Sequence, residues 1–378
     1  MAKKKEVSDE NTKMSIDEIR KSINKKAGEN LAYDLKDDSP TKITDWIPTG
    51  SRWLDSVICR GKLGGIPCGK VSELAGLEGS GKSYMAAQIA ANAQKMDIDV
   101  IYFDSESAID PDFWQNIGCD LEKMVYVQAK NVEFVLETIE ELLKTNSNRM
   151  LFIWDSFALT PSLADLEGTF NPNESMAVKP RIMSKGLSKL IQPLANTQST
   201  LLVLNQLKTN LSFTGNIKYI TDSERYTTPG GKGLAFAYSL RMWLTSRRGK
   251  DSYVNDQNGY RIGNEVKVRL EKSRFGTVGR ECSFRILWAG EKIGIMDDES
   301  VFEAIKPFLK QSGAWYEVEL DGKPKKFQAS QWQELMDDDV FRNIIYDIME
   351  KEVIVKFENR EGNAKDHYDL DATQTADE

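Results

Sequence analysis

The chain has 378 residues, 40% hydrophobic and 29% charged, the make-up of a protein with a full core and room for two or three domains. No apolar run approaches the roughly 20 residues that span a bilayer and no charged-then-apolar leader opens the sequence, so a soluble, unexported, cytoplasmic protein with no membrane partner is expected. The net charge of −8, from 50 basic and 58 acidic residues, does not advertise a nucleic-acid partner, although residues 366–378 hold several of the acids and no Lys or Arg. Cys59, Cys68, Cys119 and Cys282 have neither metal-ligand nor redox spacing, and the one histidine is His367. A Ser-His-Asp triad in the body of the chain and a histidine-based zinc site are therefore excluded.

Residues 1–43 are polar and charged. Ser15 with Glu18 three positions later reads as a capping box, and Ile16, Ile19 and Ile23 then fall on one helical face. The short helix predicts an arm that docks on its own body or on a neighbouring subunit, in which case it is an oligomerisation arm. From 44 to 298 apolar strands alternate with helices. Strands are expected over 71–75, 100–104, 150–155 and 200–205, and helices over 84–95 and 131–144.

Near-continuous apolar runs separated by helices mean an α/β core with a mostly parallel central sheet covered on both faces. Strands over 238–245, 266–271 and 282–288 follow without long helices between them and extend the sheet as hairpins. Residues 299–357 read as a small α/β domain, with a helix over 300–310, a turn at 313–316, strands near Glu317 and Lys325, and a helix from Asp339. Residues 358–378 form an acidic tail, expected to be disordered.

Gly76-Leu77-Glu78-Gly79-Ser80-Gly81-Lys82-Ser83 is a complete phosphate-binding loop between a strand and a helix whose start includes Tyr84. Its glycines let backbone N–H groups turn inward around phosphates, and the helix start adds its positive dipole end. Lys82 is expected to bridge the β- and γ-phosphates of ATP, and Ser83 to ligate Mg²⁺. Asp155, closing an apolar strand, is the carboxylate expected to hold Mg²⁺ through water. Glu106 follows the second strand at the sheet edge where such folds bind ligands. Read from its position, it is either the group that orients and deprotonates the attacking water or a solvated loop acid.

Asn205-Gln206 closes the fourth strand on the same edge, where a neutral amide can touch the γ-phosphate. The stretch 207–228 that follows is long and polar, carries Lys208, Lys218 and Arg225, and ends in Pro229-Gly230-Gly231-Lys232-Gly233. A second long loop, 159–180, leaves directly after Asp155. Loops of this length in a compact domain are usually functional or disordered. Both start at the expected ATP edge, as a γ-phosphate-ordered DNA surface requires.

The ordered set of motifs resembles the RecA family. It comprises Thr49-Gly50-Ser51-Arg52-Trp53-Leu54-Asp55 before the phosphate loop, Asp104-Ser105-Glu106-Ser107-Ala108-Ile109-Asp110-Pro111 after it, and Leu159-Thr160-Pro161 after Asp155. Asn205-Gln206, Thr227-Thr228-Pro229-Gly230-Gly231 and Gly313-Ala314-Trp315-Tyr316 follow in the same order. The short Lys272-Ser273-Arg274 segment is most similar to the phage-encoded UvsX-type branch.

The resemblance implies a RecA-like P-loop ATPase core that forms helical filaments on single-stranded DNA and exchanges strands with a homologous duplex, aided by a loader and a single-strand-binding protein. It gives Glu106 the catalytic role, places Asp110 and Phe113 beside the adenine, and makes Lys272 and Arg274 the cations that reach a neighbour's γ-phosphate. It assigns Met176, Arg181 and Ser184 to the first DNA loop, Gly230 and Gly231 to the second, and Phe236 to coupling between subunits. Lys208 joins the DNA set by its place in the second loop. Ala235 stands where the family carries a lysine and Thr245 where it carries an arginine, which puts part of the interface and DNA contact in question. Two other readings are a ring-forming helicase on the same core and a nucleotide-binding recombination mediator.

Overall fold

The computed structural model describes residues 14–35, 39, 42–59, 63–107, 109–168, 178–210, 222–246, 252–276, 278–290, 292–320 and 322–354. The chain divides into Met1–Thr44 and Asp45–Glu378. In the first unit, helix α1 (Ile16–Ala27) starts on the capping box that the sequence signals: the Ser15 N–H donates to Glu18 at 2.8 Å. It stops at Gly28, whose φ of +74° suits a residue without a side chain. Asn24 then accepts from the N–H groups of Leu31 and Ala32, fixing the turn back.

In the second unit, β1 (Trp46–Ile47) and β2 (Ile66–Pro67) pair antiparallel around α2 (Arg52–Ile58). The central run follows as β3 (Val71–Gly76), α3 (Lys82–Gln94), β4 (Asp99–Asp104), α4 (Pro111–Ile117), β5 (Met124–Gln128), α5 (Val132–Thr145), β6 (Met150–Asp155), α6 (Leu163–Glu167), α7 (Val178–Thr197) and β7 (Thr200–Gln206). A two-stranded ribbon of β8 (Lys208–Thr209) and β9 (Tyr226–Thr227) encloses α8 (Asp222–Arg225), and α9 (Gly231–Ala237) comes next. β10 (Leu240–Ser246), β11 (Tyr253–Asn255), β12 (Arg261–Ser273), β13 (Glu281–Leu287) and β14 (Gly294–Ile295) complete a ten-stranded sheet. Its order is β14-β13-β12-β10-β3-β7-β6-β4-β5, with β11 pairing β12.

The six strands from β10 to β5 run parallel, and those beyond β10 are antiparallel. The sequence patterns dictate this arrangement. β3, β6 and the first six residues of β7 are buried throughout, and alternate side chains serve two cores. Tyr102, Leu151, Ile153, Leu202 and Leu204 face one core with α3; Phe103, Phe152, Trp154, Leu201 and Val203 face the other with α5 and α7. α3 lies close because its inner face is largely alanine: Ala86, Ala87, Ala90, Ala91 and Ala93 are all buried. α7 approaches α5 at Gly186, where a Cβ would sit 2.4 Å from Leu136 Cδ1.

Residues 297–354 carry a third core. α10 (Asp297–Ile305), a hairpin sheet of β15 (Lys310–Ser312), β16 (Trp315–Leu320) and β17 (Lys323–Gln328), and helices α11 (Trp332–Met336) and α12 (Asp339–Ile348) surround it. Phe302, Tyr316, Phe327, Trp332 and Phe341 form its aromatic centre, and the Trp332 indole donates to the Asp298 carbonyl at 2.8 Å. Arg52 of α2 ties this part to the rest, pairing with Asp297 and lying 4.2 Å above the Tyr346 ring.

The stretch 104–131, for which no element was expected, holds α4, started by the Asp110 side chain, and edge strand β5. Two sequence expectations change. The loop over 159–180 carries α6 with its own capping box, and α7 begins at Val178. The helix expected over 300–310 starts at Asp297 and passes at Lys306 into a 3₁₀ turn, where Pro307 cannot continue it. All four cysteines are buried, which raises the Cys68 thiol to about 11 and the Cys119 thiol to about 12.

Ile153→Ala, opening a cavity under a central strand, should cost about 2–5 kcal/mol in urea unfolding. Lys267→Ala, which breaks a largely exposed pair with Glu281, should cost about 1 kcal/mol or less.

Candidate active site

The parallel strands bring the phosphate loop, Glu106, Asp155 and Gln206 to one edge. β3 ends at Gly76, where a Cβ would lie 2.3 Å from Ser80 Oγ and 3.0 Å from the Leu244 carbonyl, so the loop closes only over a glycine. Gly79 (φ +67°) and Gly81 (φ +91°) turn Leu77, Glu78 and Ser80 around the start of α3, whose first N–H groups and dipole face the loop. Lys82 donates to the carbonyls of Gly76 and Leu77 at 3.2 and 3.0 Å. Burial lowers its ammonium pKa, opposed by the charges of Asp155, Glu106 and Glu78.

Ser83 donates to Asp155 Oδ2 at 3.2 Å, and Tyr102 donates to the same oxygen at 2.7 Å. Burial raises the Asp155 carboxyl pKa, helped by Glu106 and Asp104 and resisted by the bonds from Tyr102 and Ser83. A hydroxyl and a carboxylate in contact, with more acids nearby, are the oxygen donors that suit Mg²⁺. The buried Ser80 Oγ has no hydrogen-bond partner among the described residues, as expected of a loop shaped for a ligand.

Glu106 is exposed and held from two sides. Asp104 Oδ1 accepts from the N–H groups of Glu106 and Ser107, both at 2.8 Å, and Ser156 donates to Glu106 Oε1 at 2.7 Å. A cavity of about 410 Å³ runs from Ser83 and Asp155 past Glu106 to Asp110, Phe113 and Trp288. At its far end the Tyr84 ring meets Phe113 edge-on at 4.2 Å and Trp288 at 6.3 Å. Trp288 is steadied by Arg261, which lies between it and Tyr253. A smaller cavity of about 170 Å³ joins the phosphate loop to Asn264 and Trp288. Aromatic walls at one end and carboxylates with an ammonium at the other suit a base and a polyphosphate.

Gln206 lies opposite Gly76, and the next N–H, of Leu207, donates to the Gly76 carbonyl at 3.0 Å. The chain then enters β8, which carries the exposed Lys208. It returns to Gly230 (φ +109°) and Gly231 (φ +74°), which start α9. A Cβ on Gly230 would strike Leu234 at 2.3 Å and approach Phe157, just past Asp155, at 3.1 Å. Arg181 and Ser184 sit on α7, and Ser184 lies against Gly233 of α9. The two loop exits therefore meet. Met176 and residues 211–221 lie outside the described residues.

Lys272 and Arg274 are at the end of β12, away from these cavities. Lys272 donates to the carbonyls of Ala235 and Phe236, and Arg274 to that of Phe236 at 3.2 Å. Phe236 itself is 71% exposed, and Thr245 is half-buried in β10. Sequence reasoning missed Tyr102, Ser156 and Trp288. No local signal marks them, since each joins the site through strand order.

In the absence of nucleotide and divalent cation, Asp155→Asn should raise the melting temperature at neutral pH. A carboxyl whose pKa is raised by folding penalises the folded state when charged. The gain should shrink as pH falls and the wild-type carboxyl protonates. Thermal melts at several pH values check this, and equal melting temperatures at neutral pH contradict it.

Comparison with known proteins fits this geometry. The RecA N-terminal domain family matches residues 14–294. Protein RecA of Bifidobacterium breve is 31% identical over 316 residues, 83% of this chain and 75% of that protein. Protein RecA of Fusobacterium nucleatum is 29% identical over 81% of this chain and 76% of its own length. Protein RecA of Mannheimia haemolytica is 29% identical over 82% and 79%. The chain belongs to the RecA family of DNA recombination and repair proteins.

Proposed function

We propose that the chain is a DNA-dependent ATPase that assembles as a helical filament on single-stranded DNA and exchanges that strand into a homologous duplex. One observation carries the reading: the phosphate loop, Asp155 and Gln206 share a single sheet edge from which both loop segments depart. Gly76–Ser83 holds the triphosphate of ATP, and Tyr84, Phe113 and Trp288 enclose the base beside Asp110. Ser83 and Asp155 hold Mg²⁺, which when bound offsets charge on the phosphate oxygens. Lys82, now on its own loop's carbonyls, turns to the β- and γ-phosphates. Glu106, held by Ser156, takes the proton of the attacking water. Gln206 reports the γ-phosphate to the second loop.

Lys272 and Arg274 act on the nucleotide of the adjoining subunit. They line neither cavity of their own chain, and they project beside the exposed Phe236. Single-stranded DNA lies against Arg181, Ser184, Lys208, Gly230, Gly231 and Met176. Homologous pairing supplies sequence specificity, so the protein need not read bases. In this reading residues 44–298 are the ATPase core with both DNA loops, and 1–43 the oligomerisation arm. The small domain, 299–357, receives duplex DNA on the exposed Lys310, Lys323, Lys325 and Lys326, and the acidic tail, 358–378, moderates that access.

The Lys272-Ser273-Arg274 segment supports placing the chain in the phage UvsX-type branch. It would then work in the host cytoplasm with a loader and a single-strand-binding protein. Among the described residues no helix is long and apolar enough to cross a membrane.

Glu106→Gln should lower DNA-stimulated phosphate release by about 10²–10⁴-fold while ATP still binds, as loss of a general base predicts. Electron micrographs of that variant with ATP and single-stranded DNA should show helical filaments. Closed rings, or hydrolysis at the wild-type rate, contradict the proposal.

A further inference from the structure

Under the returning end of the second loop lies a buried charged group that no step above uses. Glu73, midway along β3, is fully buried between β7 and β10. Arg241 Nε of β10 donates to one carboxylate oxygen at 2.6 Å, and Asn205 Nδ2 of β7 donates to the other at 2.9 Å. Both partners reach further. Arg241 Nη2 donates to Thr228 Oγ1 at 2.9 Å, and Asn205 Nδ2 donates to the Pro229 carbonyl at 3.1 Å. Thr228 and Pro229 immediately precede Gly230 and Gly231. Asn205 immediately precedes Gln206, whose N–H donates to Asn205 Oδ1 at 3.0 Å.

One carboxylate thus joins the strand that leads into the phosphate loop, the residue before Gln206, and the exit of the second loop. Stability alone does not account for such a group. Desolvating two charges often costs as much as their attraction returns, and a well-packed apolar pair is commonly as stable. What the charges supply is direction: a guanidinium donates in a fixed plane, so an Nη2–H is aimed at Thr228 once Glu73 holds the Nε–H. Burial raises the Glu73 carboxyl pKa, opposed first by the Arg241 charge and then by hydrogen bonds from Asn205, Arg241 and Thr228.

We propose that Glu73 and Arg241 are a positioning pair that fastens the returning end of the second loop, at Thr228 and Pro229, to the nucleotide edge, so that ATP orders the loop from both of its ends. The inference rests on the reading of that loop as an ATP-responsive DNA surface. Thr228 is the part to test, because it lies outside the sheet and changing it leaves the buried pair in place.

In the full-length protein, affinity for a fluorescent single-stranded oligonucleotide would be measured with a slowly hydrolysed ATP analogue and with ADP. Nucleotide affinity and melting temperature would be measured alongside. Thr228→Val should cut the ATP-over-ADP ratio of DNA affinities roughly tenfold, as loss of a hydrogen bond to a charged group predicts, with nucleotide affinity within about twofold of wild type. Thr228→Ser, which keeps the hydroxyl, should retain the ratio. Glu73→Gln should lower it as well.

A Thr228→Val protein with an unchanged ratio overturns the pair's role. So does a Thr228→Ser protein as impaired as Thr228→Val, since the methyl group would then be what matters. A wild-type protein whose DNA affinity ignores the nucleotide overturns the underlying reading, and the pair's role with it.

Discussion

The register of four parallel strands is the constraint from which the rest of the site follows. Gly76 lies opposite Gln206, and Asp104 opposite Asp155. Because β6 pairs Trp154 with Val203, Asp104 and Asp155 end two residues short of the Gly76–Gln206 level, and all of these groups gather on one edge of the sheet. A slip of one residue in β6 would turn Asp155 toward the opposite face and carry Trp154 out of its core. Because β3, β6 and most of β7 are buried on both faces, each side chain has one permitted side. The hydrophobic pattern that builds the core therefore also aims the polar ends.

That edge carries charges the fold would be more stable without. Asp155 is buried beside two other acids, held by Tyr102 and Ser83, while Lys82 turns back onto its own loop. Such an arrangement stores a demand for a polyphosphate and a divalent cation, which satisfy the ammonium and the carboxylate together. Two segments leave from beside these groups, one after Asp155 and one after Gln206, and they meet again where Phe157 faces Gly230 and Ser184 faces Gly233. Lys272 and Arg274 are held to the carbonyls of Ala235 and Phe236 near the end of α9 and do not line the cavity of their own chain.

The core of this site was legible from residues because its signals are local. Glycine spacing marks the phosphate loop, and an apolar run ending in an acid marks Asp155. Ser15 and Glu18 marked the start of α1 for the same reason. Legibility fails where distance in the chain is large. Trp288 reaches the cavity only after β13 has been laid beside β12, and Ser156 supports Glu106 only because β4 pairs with β6. β5 was not anticipated although Met124-Val125-Tyr126-Val127 is an apolar run as long as that of β4; as an edge strand it leaves Val125 and Tyr126 exposed. The roles of Lys272 and Arg274 came from family resemblance, since a charged strand end says nothing alone.

The proposed sharing of the ATPase site between subunits can be tested by mixing two inactive proteins. A Lys82→Ala protein has a dead nucleotide site but sound cations, and a Lys272→Ala/Arg274→Ala protein has the reverse defect. Randomly co-assembled head to tail on single-stranded DNA, about a quarter of interfaces would join an intact nucleotide face to an intact cation pair. ATPase activity should then return in the mixture although each protein alone is nearly inactive. If labelled subunits show that both enter the same filaments and the mixture stays inactive, Lys272 and Arg274 do not act in trans.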